Sequence, residues 1–356
     1  MEKYIFNPEH DLCIAAEEPN FIPPAAALDF AGKCRWVERF MAAPQGEEGK
    51  IFPWGWNRYL RDKLLKEGVP ADELPSDVEL DFIKKNSRRE VAQQLLEYLS
   101  SCSCTGTCGK MSGGKGAMIV SPQYRTIACS MTAIEDFLQH NGRVVLKAPL
   151  SGSGKGVRFV TGKLMETDRG WCRRILQMQG SVIVEQRLDV VQEFAMLFEV
   201  RQSDSCKGVG SEVHFRGYSL FYASNGAYKG NLLASNEYIE EQLCKWIPRE
   251  VLLSTREMVG RFLEKKLCAR KAEDEVNSGY RGFVGVDQFV FKVERHSGGN
   301  VVSEREEYCL NPAVEINLRM TMGLVARNIY DFYKDEFSLG EGTHCFEPLQ
   351  GIFVRK

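Results

Sequence analysis

The sequence predicts an α/β domain followed by a strand-rich α+β region, on three observations. Strand-like and helix-like segments alternate through the first third of the chain. From Arg143 onward, strand-like runs dominate. The 356 residues, 44% hydrophobic and 26% charged, have an ordinary globular composition and length enough for two to three domains of about 150 residues.

In order, KYIFN is a short strand-like run that stops at Pro8, and KIFPWGW repeats the pattern near residue 51. RYLRDKLLKEG reads as a helix ending on Gly68, and SRREVAQQLLEYLSSC as a helix with Val91, Leu95, Leu96 and Leu99 on one stripe. Ser100 to Gly116 is polar and glycine-rich, which predicts a flexible loop, and TAIEDFLQHNG gives a helix closing at Gly142. The strand-like runs RVVLKAPL, GVRFVTG, SVIVEQRL, EFAMLFEV, SEVHFRGYSLFYAS, GFVGVDQFVFKV and EYCLNPAVEINLRM follow, with a helix around REVLLSTREMVGRFLEKKLCARK. No internal repeat or heptad array is visible.

Charge and cysteines narrow the functional classes. Lys and Arg total 46 against 48 Asp and Glu, a net charge of −2, so no global basic field is available for nucleic acid or an anionic membrane. The opening twenty residues carry charges where a signal peptide needs an apolar stretch, and no apolar run spans a bilayer; the expected location is the cytoplasm. Most of the 12 cysteines stand singly among apolar residues and read as free thiols. Cys102, Cys104 and Cys108 cluster in SSCSCTGTCGK, but without a fourth ligand or the usual paired spacing of a thiolate metal site.

Two constellations carry chemistry. RVVLK runs into APLSGSGKGV, residues 148–157, where glycines let backbone N–H groups approach an anion and Lys147 and Lys155 add positive charge. Gly156 stands where a P-loop needs Ser or Thr, and Val157 where GxGxxG needs its third glycine. Alone, GSGKG reads equally well as a plain hairpin tip. The second is AVEINLRMTMG, in which strand alternation sends Glu315, Asn317 and Arg319 to one face and Val314, Ile316 and Leu318 to the core. A carboxylate and an amide oxygen two residues apart suit Mg²⁺, and the arginine offers an anion fork. The midpoint between Asp287 and Glu315 is residue 301, inside the polar connection HSGGNVVSER, so a simple hairpin sets the two carboxylates opposite each other. A lone strand acid is ordinarily a solvated sheet face, but two facing acids repel unless a cation or proton intervenes, which favours a metal. SVIVEQRLD and the later Glu193 are compatible with a nucleoside, and GAYKGN presents Tyr228, Lys229 and Asn231 on a turn or lid.

In their order, VVLKAPLSGSGKGV, VIVEQRL, GVDQFVF and VEINLRMTMG resemble the ATP-grasp superfamily of carboxylate-amine ligases over roughly residues 130–330. The resemblance implies an ATP-grasp fold, two α+β lobes clasping ATP, behind an N-terminal Rossmann-like α/β domain. The implied divisions are 1–128 for the N-terminal domain, 129–195 for the small lobe and 196–356 for the large lobe. It assigns Lys147 to the α and β phosphates, and Ser151, Gly152, Ser153, Gly154 and Lys155 to the triphosphate cover. Glu185 with Gln186, Arg187 and Leu188 is assigned to adenine, and Glu193 to ribose. Asp287, Glu315 and Asn317 match positions that hold one or two Mg²⁺ ions, with Mn²⁺ as the alternative, while Arg319 and Lys229 match catalytic cations near the transferred phosphoryl group. Two departures stand out. The arginine that several ligases carry two residues before the metal aspartate is Gly285 here, leaving Arg319 or Arg281 for that role, and the lysine upstream of the phosphate loop has no clear match, with Lys115 and Arg88 as candidates. The opening NPEHDLCIAA also resembles ATP-grasp proteins and nominates Asn7, Glu9, His10 and Asp11, with Tyr228 and Asn231, for substrate binding. The implied activity is ATP- and Mg²⁺-dependent, ADP-forming ligation of a small carboxylate to an amine, by a homodimer; a small-molecule kinase and a non-catalytic nucleotide-binding protein are the alternatives.

Overall fold

A computed structural model describes residues 3–16, 21–42, 51–103, 118–152, 156–202, 211–224, 227–268, 271–272, 275–276, 279–293 and 307–355. The chain opens with β1 (Lys3–Ile5), α1 (His10–Ala15), α2 (Ala25–Lys33), β2 (Ile51–Pro53), α3 (Arg58–Lys66), α4 (Asp77–Asn86) and α5 (Glu90–Ser103). β1 and β2 pair in parallel. The Rossmann-like sheet expected here is not what the chain builds: among the described residues before α5 these two three-residue strands are the sheet. Pro8 and Pro53 stop them short, since proline cannot donate to a ladder.

The next unit is a four-stranded sheet. β3 (Met118–Ile119) precedes β4 (Arg125–Ala128), α6 (Met131–Asn141), β5 (Arg143–Lys147), β6 (Val157–Thr161), α7 (Glu166–Gln179) and β7 (Val182–Gln186). The strand order is β4-β7-β5-β6, all antiparallel. Ile134, Leu138, Trp171, Cys172 and Ile175 from α6 and α7 pack on Val144, Leu146, Val182 and Val184. α6 ends as expected on Gly142, whose φ of 68° suits a residue without Cβ and whose N–H donates to Leu138 O at 2.8 Å. β4, on the N-terminal side of the expected 128/129 division, pairs within this sheet.

The largest unit is an eight-stranded sheet. It uses β8 (Asp189–Gln202), β9 (Ser211–Ser224), β10 (Ala227–Leu233), α8 (Asn236–Leu243), α9 (Arg249–Leu267), the short pair β11 (Lys271–Ala272) and β12 (Glu275–Val276), then β13 (Gly282–Val293), β14 (Glu307–Asn317), α10 (Met322–Tyr333), β15 (His344–Glu347) and β16 (Gly351–Val354). Its order is β16-β15-β10-β9-β8-β13-β14-β3, and β8 runs straight through the anticipated 195/196 boundary. Both faces are covered, which explains the dense apolar runs. Phe194, Met196, Phe198, Val284 and Val286 meet Leu95 and Leu99 of α5 and Leu252, Val259 and Leu263 of α9. The alternate residues Ala195, Leu197 and Phe283 meet Phe6, Trp54 and the Leu324, Val325 and Ile329 stripe of α10. Trp54 also accepts a bond from Met320 N at 2.8 Å, which fastens the N-terminal segment to the chain just beyond β14. No helix among the described residues is long and apolar enough to cross a membrane.

The pairing of β13 with β14 contains an irregularity that matters below. Asp287 lies opposite Glu315 but Phe289 opposite Asn311, so β14 spends four residues where β13 spends two. Pro312 sits in this bulge, where its missing N–H is tolerated. Two carbonyls of the bulge, Ala313 O and Val314 O, accept from the Arg125 guanidinium at 2.9 and 3.3 Å. Asn311 donates to Tyr124 Oη at 2.6 Å, and Arg125 donates to the same oxygen at 2.9 Å. A wholly buried arginine thus joins the four-stranded sheet to the bulge of the large one. Arg125→Met is expected to lower the unfolding free energy by about 3 kcal/mol, because buried acceptors and Glu185 lose their partner. Urea titration reads this; an unchanged midpoint would show that the junction does not depend on Arg125.

Candidate functional site

A small cavity of about 10 Å³ lies where the three units meet. It is lined by His10 and Asp11 at the start of α1, by Ser151 after β5, and by Glu315, Asn317 and Arg319 at the end of β14. The bulge shifts the β13–β14 pairing by two residues and so places Asp287 directly opposite Glu315; without it the ladder of Val293 with Glu307 and Phe289 with Asn311 would set Asp287 opposite Ala313. Asn317 Nδ2 donates to Asp287 Oδ2 at 3.1 Å and Arg319 Nη2 to Asn317 Oδ1 at 2.9 Å. Glu193 on β8 pairs opposite Phe289, two residues from Asp287, and so shares its sheet face.

The donor set fits a hard divalent cation. Burial first, and repulsion from Glu315 second, push the Asp287 carboxyl up to about 7, while Arg319 and the Asn317 amide oppose the shift. A cation between the acids removes that repulsion, and two carboxylates with an amide oxygen supply oxygen ligands to an ion that keeps its remaining positions for phosphate and water. It would compete with the Asn317 amide for Asp287 and with an arginine for Glu315.

That arginine is Arg89, which sequence reasoning missed. Its Nη1 donates to Ala148 O at 2.5 Å and Ser151 Oγ at 2.8 Å, and its Nη2 to Glu315 Oε2 at 2.9 Å. Its own N–H reaches Pro149 O at 3.0 Å, so the start of α5 is sewn to the glycine-rich loop. Arg88, the expected upstream cation, instead bonds Glu90 at 2.6 Å and Gln179 O at 2.8 Å. Lys115 lies outside the described residues. No spacing rule separates Arg88 from its neighbour; a helix start rotates consecutive side chains by about 100°.

The glycine-rich loop joins β5 to β6 as the connection of a hairpin. A Cβ on Gly156 would lie 2.2 Å from Ser151, and one on Gly152 would lie 3.3 Å from the Asp11 Cβ. Ser153, Gly154 and Lys155 lie outside the described residues. Lys147 ends β5 with its ammonium 2.6 Å from Glu185 Oε2, and Arg125 reaches Glu185 Oε1 at 2.5 Å. Burial opposes charge on Glu185, but Arg125 and Lys147 outweigh it and hold the carboxyl below its ordinary range. Burial draws the Lys147 ammonium below its ordinary range against the pull of Glu185. Glu185, expected at adenine, is therefore a buried counter-ion whose oxygens are taken by two cations. Of its linker, Gln186 and Arg187 are exposed and Leu188 is half-buried, with the Arg187 guanidinium 5.2 Å from the Phe159 ring centroid.

Other expectations need correction. Asn7 is 3% exposed and clamps Gly55 through both amide atoms, Nδ2 to Gly55 O at 2.9 Å and Gly55 N to Oδ1 at 3.3 Å, so it shapes the N-terminal segment and is not open to substrate. Asn231 is 1% exposed and donates to Ser219 Oγ at 2.7 Å while accepting from the Tyr228 hydroxyl; it too is closed to substrate. Tyr228 and the exposed Lys229 stand on β10, separated from β13 by β9 and β8. Glu9 is buried, which raises its carboxyl above the ordinary range. The missing arginine at Gly285 has a steric cause: a Cβ there would meet Thr321 Cγ2 at 2.7 Å. Arg281 is exposed, and Arg319 is the arginine lining the cavity. Cys102 ends in α5, Cys104 and Cys108 lie outside the described residues, and among those residues no group of three or more His, Cys, Asp or Glu is set to hold a metal.

No known family profile and no curated protein sequence matches this chain. Among solved structures, N5-carboxyaminoimidazole synthetase from Staphylococcus aureus, complexed with ADP, is 14% identical, with 98% of this chain and 69% of that one covered and a TM-score of 0.42. The biotin carboxylase domain of Hydrogenobacter thermophilus 2-oxoglutarate carboxylase, with MgADP, is 11% identical over 93% and 64%, TM-score 0.45. D-alanyl-alanine synthetase A from Vibrio cholerae is 12% identical over 91% and 90%, TM-score 0.41. The functional reading rests on the residues of the cavity.

His10 gives this site a pH signature. Its ring lies so close to Gly55 that a Cβ there would be 2.6 Å away, and Asn57 Nδ2 stands 3.3 Å from Nδ1. Burial first pushes the imidazole down to about 4, against the attraction of Asp11. A depressed folded value means that the unfolded chain takes up the proton first. The stability this group contributes is therefore full above pH 6.5 and lost as pH falls toward about 4. Urea midpoints of wild type should fall across that window more steeply than those of His10→Asn; parallel profiles would contradict a buried neutral imidazole.

Proposed function

We propose that this chain is an ATP-grasp-type, ADP-forming ligase that activates a small carboxylate as an acyl phosphate for attack by an amine. The observation that carries the reading is the facing pair Asp287 and Glu315, in register on neighbouring strands, with the glycine-rich hairpin tip tied to the same spot through Arg89. Asp287, Glu315 and Asn317 would hold Mg²⁺, which when bound supplies positive charge to the β and γ phosphates. Lys147, Arg89 and the loop amides neutralise the remaining nucleotide charge, and Glu193 lies on the sheet face that a ribose would meet. A carboxylate oxygen of the substrate attacks the γ phosphorus in line, the bond to the β–γ bridging oxygen breaks and ADP leaves. The amine nitrogen then attacks the acyl carbon, phosphate departs and the amine proton passes to solvent. Arg319 faces this space and stabilises negative charge on the reacting oxygens. Side-chain nucleophiles are not needed. What such chemistry requires is positioning and exclusion of water.

The test is MgATP-dependent phosphate release with pools of amino and hydroxy acids, with hydroxylamine as surrogate amine. Hydroxamate is the expected product; phosphate release without it, or a stable phosphorylated acceptor, would replace the ligase by a hydrolase or kinase. Asp287→Asn and Glu315→Gln are each expected to lower turnover by about a hundredfold or more while leaving the urea midpoint near that of wild type. Undiminished turnover in both would overturn the assignment of the pair.

A further inference from the structure

Arg319 is held by a residue 308 positions away. Its Nε donates to Asp11 Oδ1 at 2.8 Å and its Nη2 to Asp11 Oδ2 at 2.7 Å, a two-pronged pair between α1 and the end of β14. Nη2 also touches Asn317 Oδ1 at 2.9 Å, and Nη1 donates to Met320 O at 3.1 Å. The Arg319 side chain is 15% exposed and that of Asp11 20%. The backbone beside the arginine is fixed by the Met320 bond to Trp54, so only the side chain can swing.

What it would swing toward is the cation site. The guanidinium is one amide away from Asp287, since Asn317 bonds both, and Asp287 and Glu315 both attract it. A tethered guanidinium beside two carboxylates forms strong charge-assisted bonds at high effective concentration, and any it forms there occlude a divalent ion. Asp11 offers a better-matched partner on the other side, engaging both oxygens at once. We propose that Asp11 is a positioning residue that holds Arg319 off Asp287 and Glu315, so that a divalent cation arriving at the pair has only Arg89 and the Asn317 amide to displace and not a second guanidinium. This inference rests on the ligase reading, because it takes the pair as the cation site.

The proposal differs from a merely structural role in predicting that loss of Asp11 is repaired by loss of Arg319. The probe is Mn²⁺ in the presence of ADP, read by electron paramagnetic resonance, on the full chain. Asp11→Asn is expected to weaken Mn²⁺ binding about tenfold, equivalent to about 1.4 kcal/mol, and the double variant with Arg319→Met to recover to within about threefold of wild type. Arg319→Met alone is expected to bind Mn²⁺ at least as tightly as wild type, which tests the competition even if Asp11→Asn does not fold. Wild-type affinity in Asp11→Asn, no recovery in a folded double variant, or weaker binding in Arg319→Met would each overturn the proposal. Failure of wild type itself to bind Mn²⁺ with ADP would overturn the ligase reading, and this inference with it, before any substitution is made.

Discussion

The site depends on one constraint, the antiparallel register of β13 against β14. It sets Asp287 across from Glu315 at a separation where two ionised carboxylates repel, and burial sharpens that repulsion. Facing buried carboxylates oppose this pairing, and the surroundings hold it in place. β13 is held on its other side by β8 through eleven paired residues, and β14 is held by Arg125 at the bulge. Proline at 312 forces the ladder to open, the opened carbonyls need donors, and a buried guanidinium supplies them.

Charge is organised around the pair in complementary sets. Arg125 and Lys147 share Glu185, Arg89 holds Glu315, and Arg319 holds Asp11. Each cation belongs to a different unit from its partner or bridges two strands of one sheet, so the pairs join the N-terminal segment, the hairpin and the large sheet around the cavity. A buried pair of this kind contributes little net stability, because desolvation offsets the Coulomb attraction, but it strongly penalises arrangements in which one partner is left alone. The result is specificity of placement. The buried His10 fits the same scheme, with Gly55 and Asn57 against its ring and Asp11 and Arg319 as its charged neighbours.

Much of this was legible in the sequence, for identifiable reasons. Alternation puts Glu315, Asn317 and Arg319 on one face, and the spacing of Asp287 and Glu315 about a polar connection points to a hairpin, but the bulge at Pro312 that sets these two acids opposite each other leaves no mark in that spacing. The helices ending at Gly68 and Gly142 followed from periodicity and from glycine at the stop. The contributions of Arg89, Arg125 and Asp11 were not legible, since each acts across more than fifty residues of sequence and has its role set by the direction a single side chain takes. Glu185, Asn7 and Asn231 misled in the opposite way: polar residues in the right order look like ligand contacts until their partners within the protein are seen. Alternating strand-like and helix-like runs predict an α/β domain at the N-terminus, but its described strands, interrupted by proline, are three residues each, and the segment packs on the large sheet.

The central claim is that Asp287 and Glu315 form a divalent-cation site shared with nucleotide phosphate. Electron–nuclear double resonance on the Mn²⁺–ADP complex of the protein measures this directly. Phosphorus coupling to protein-bound Mn²⁺ in wild type, lost together with the bound-ion spectrum in Glu315→Gln, is the predicted result. A spectrum of fully hydrated Mn²⁺ in wild type, or an unchanged phosphorus coupling in Glu315→Gln, would contradict the account.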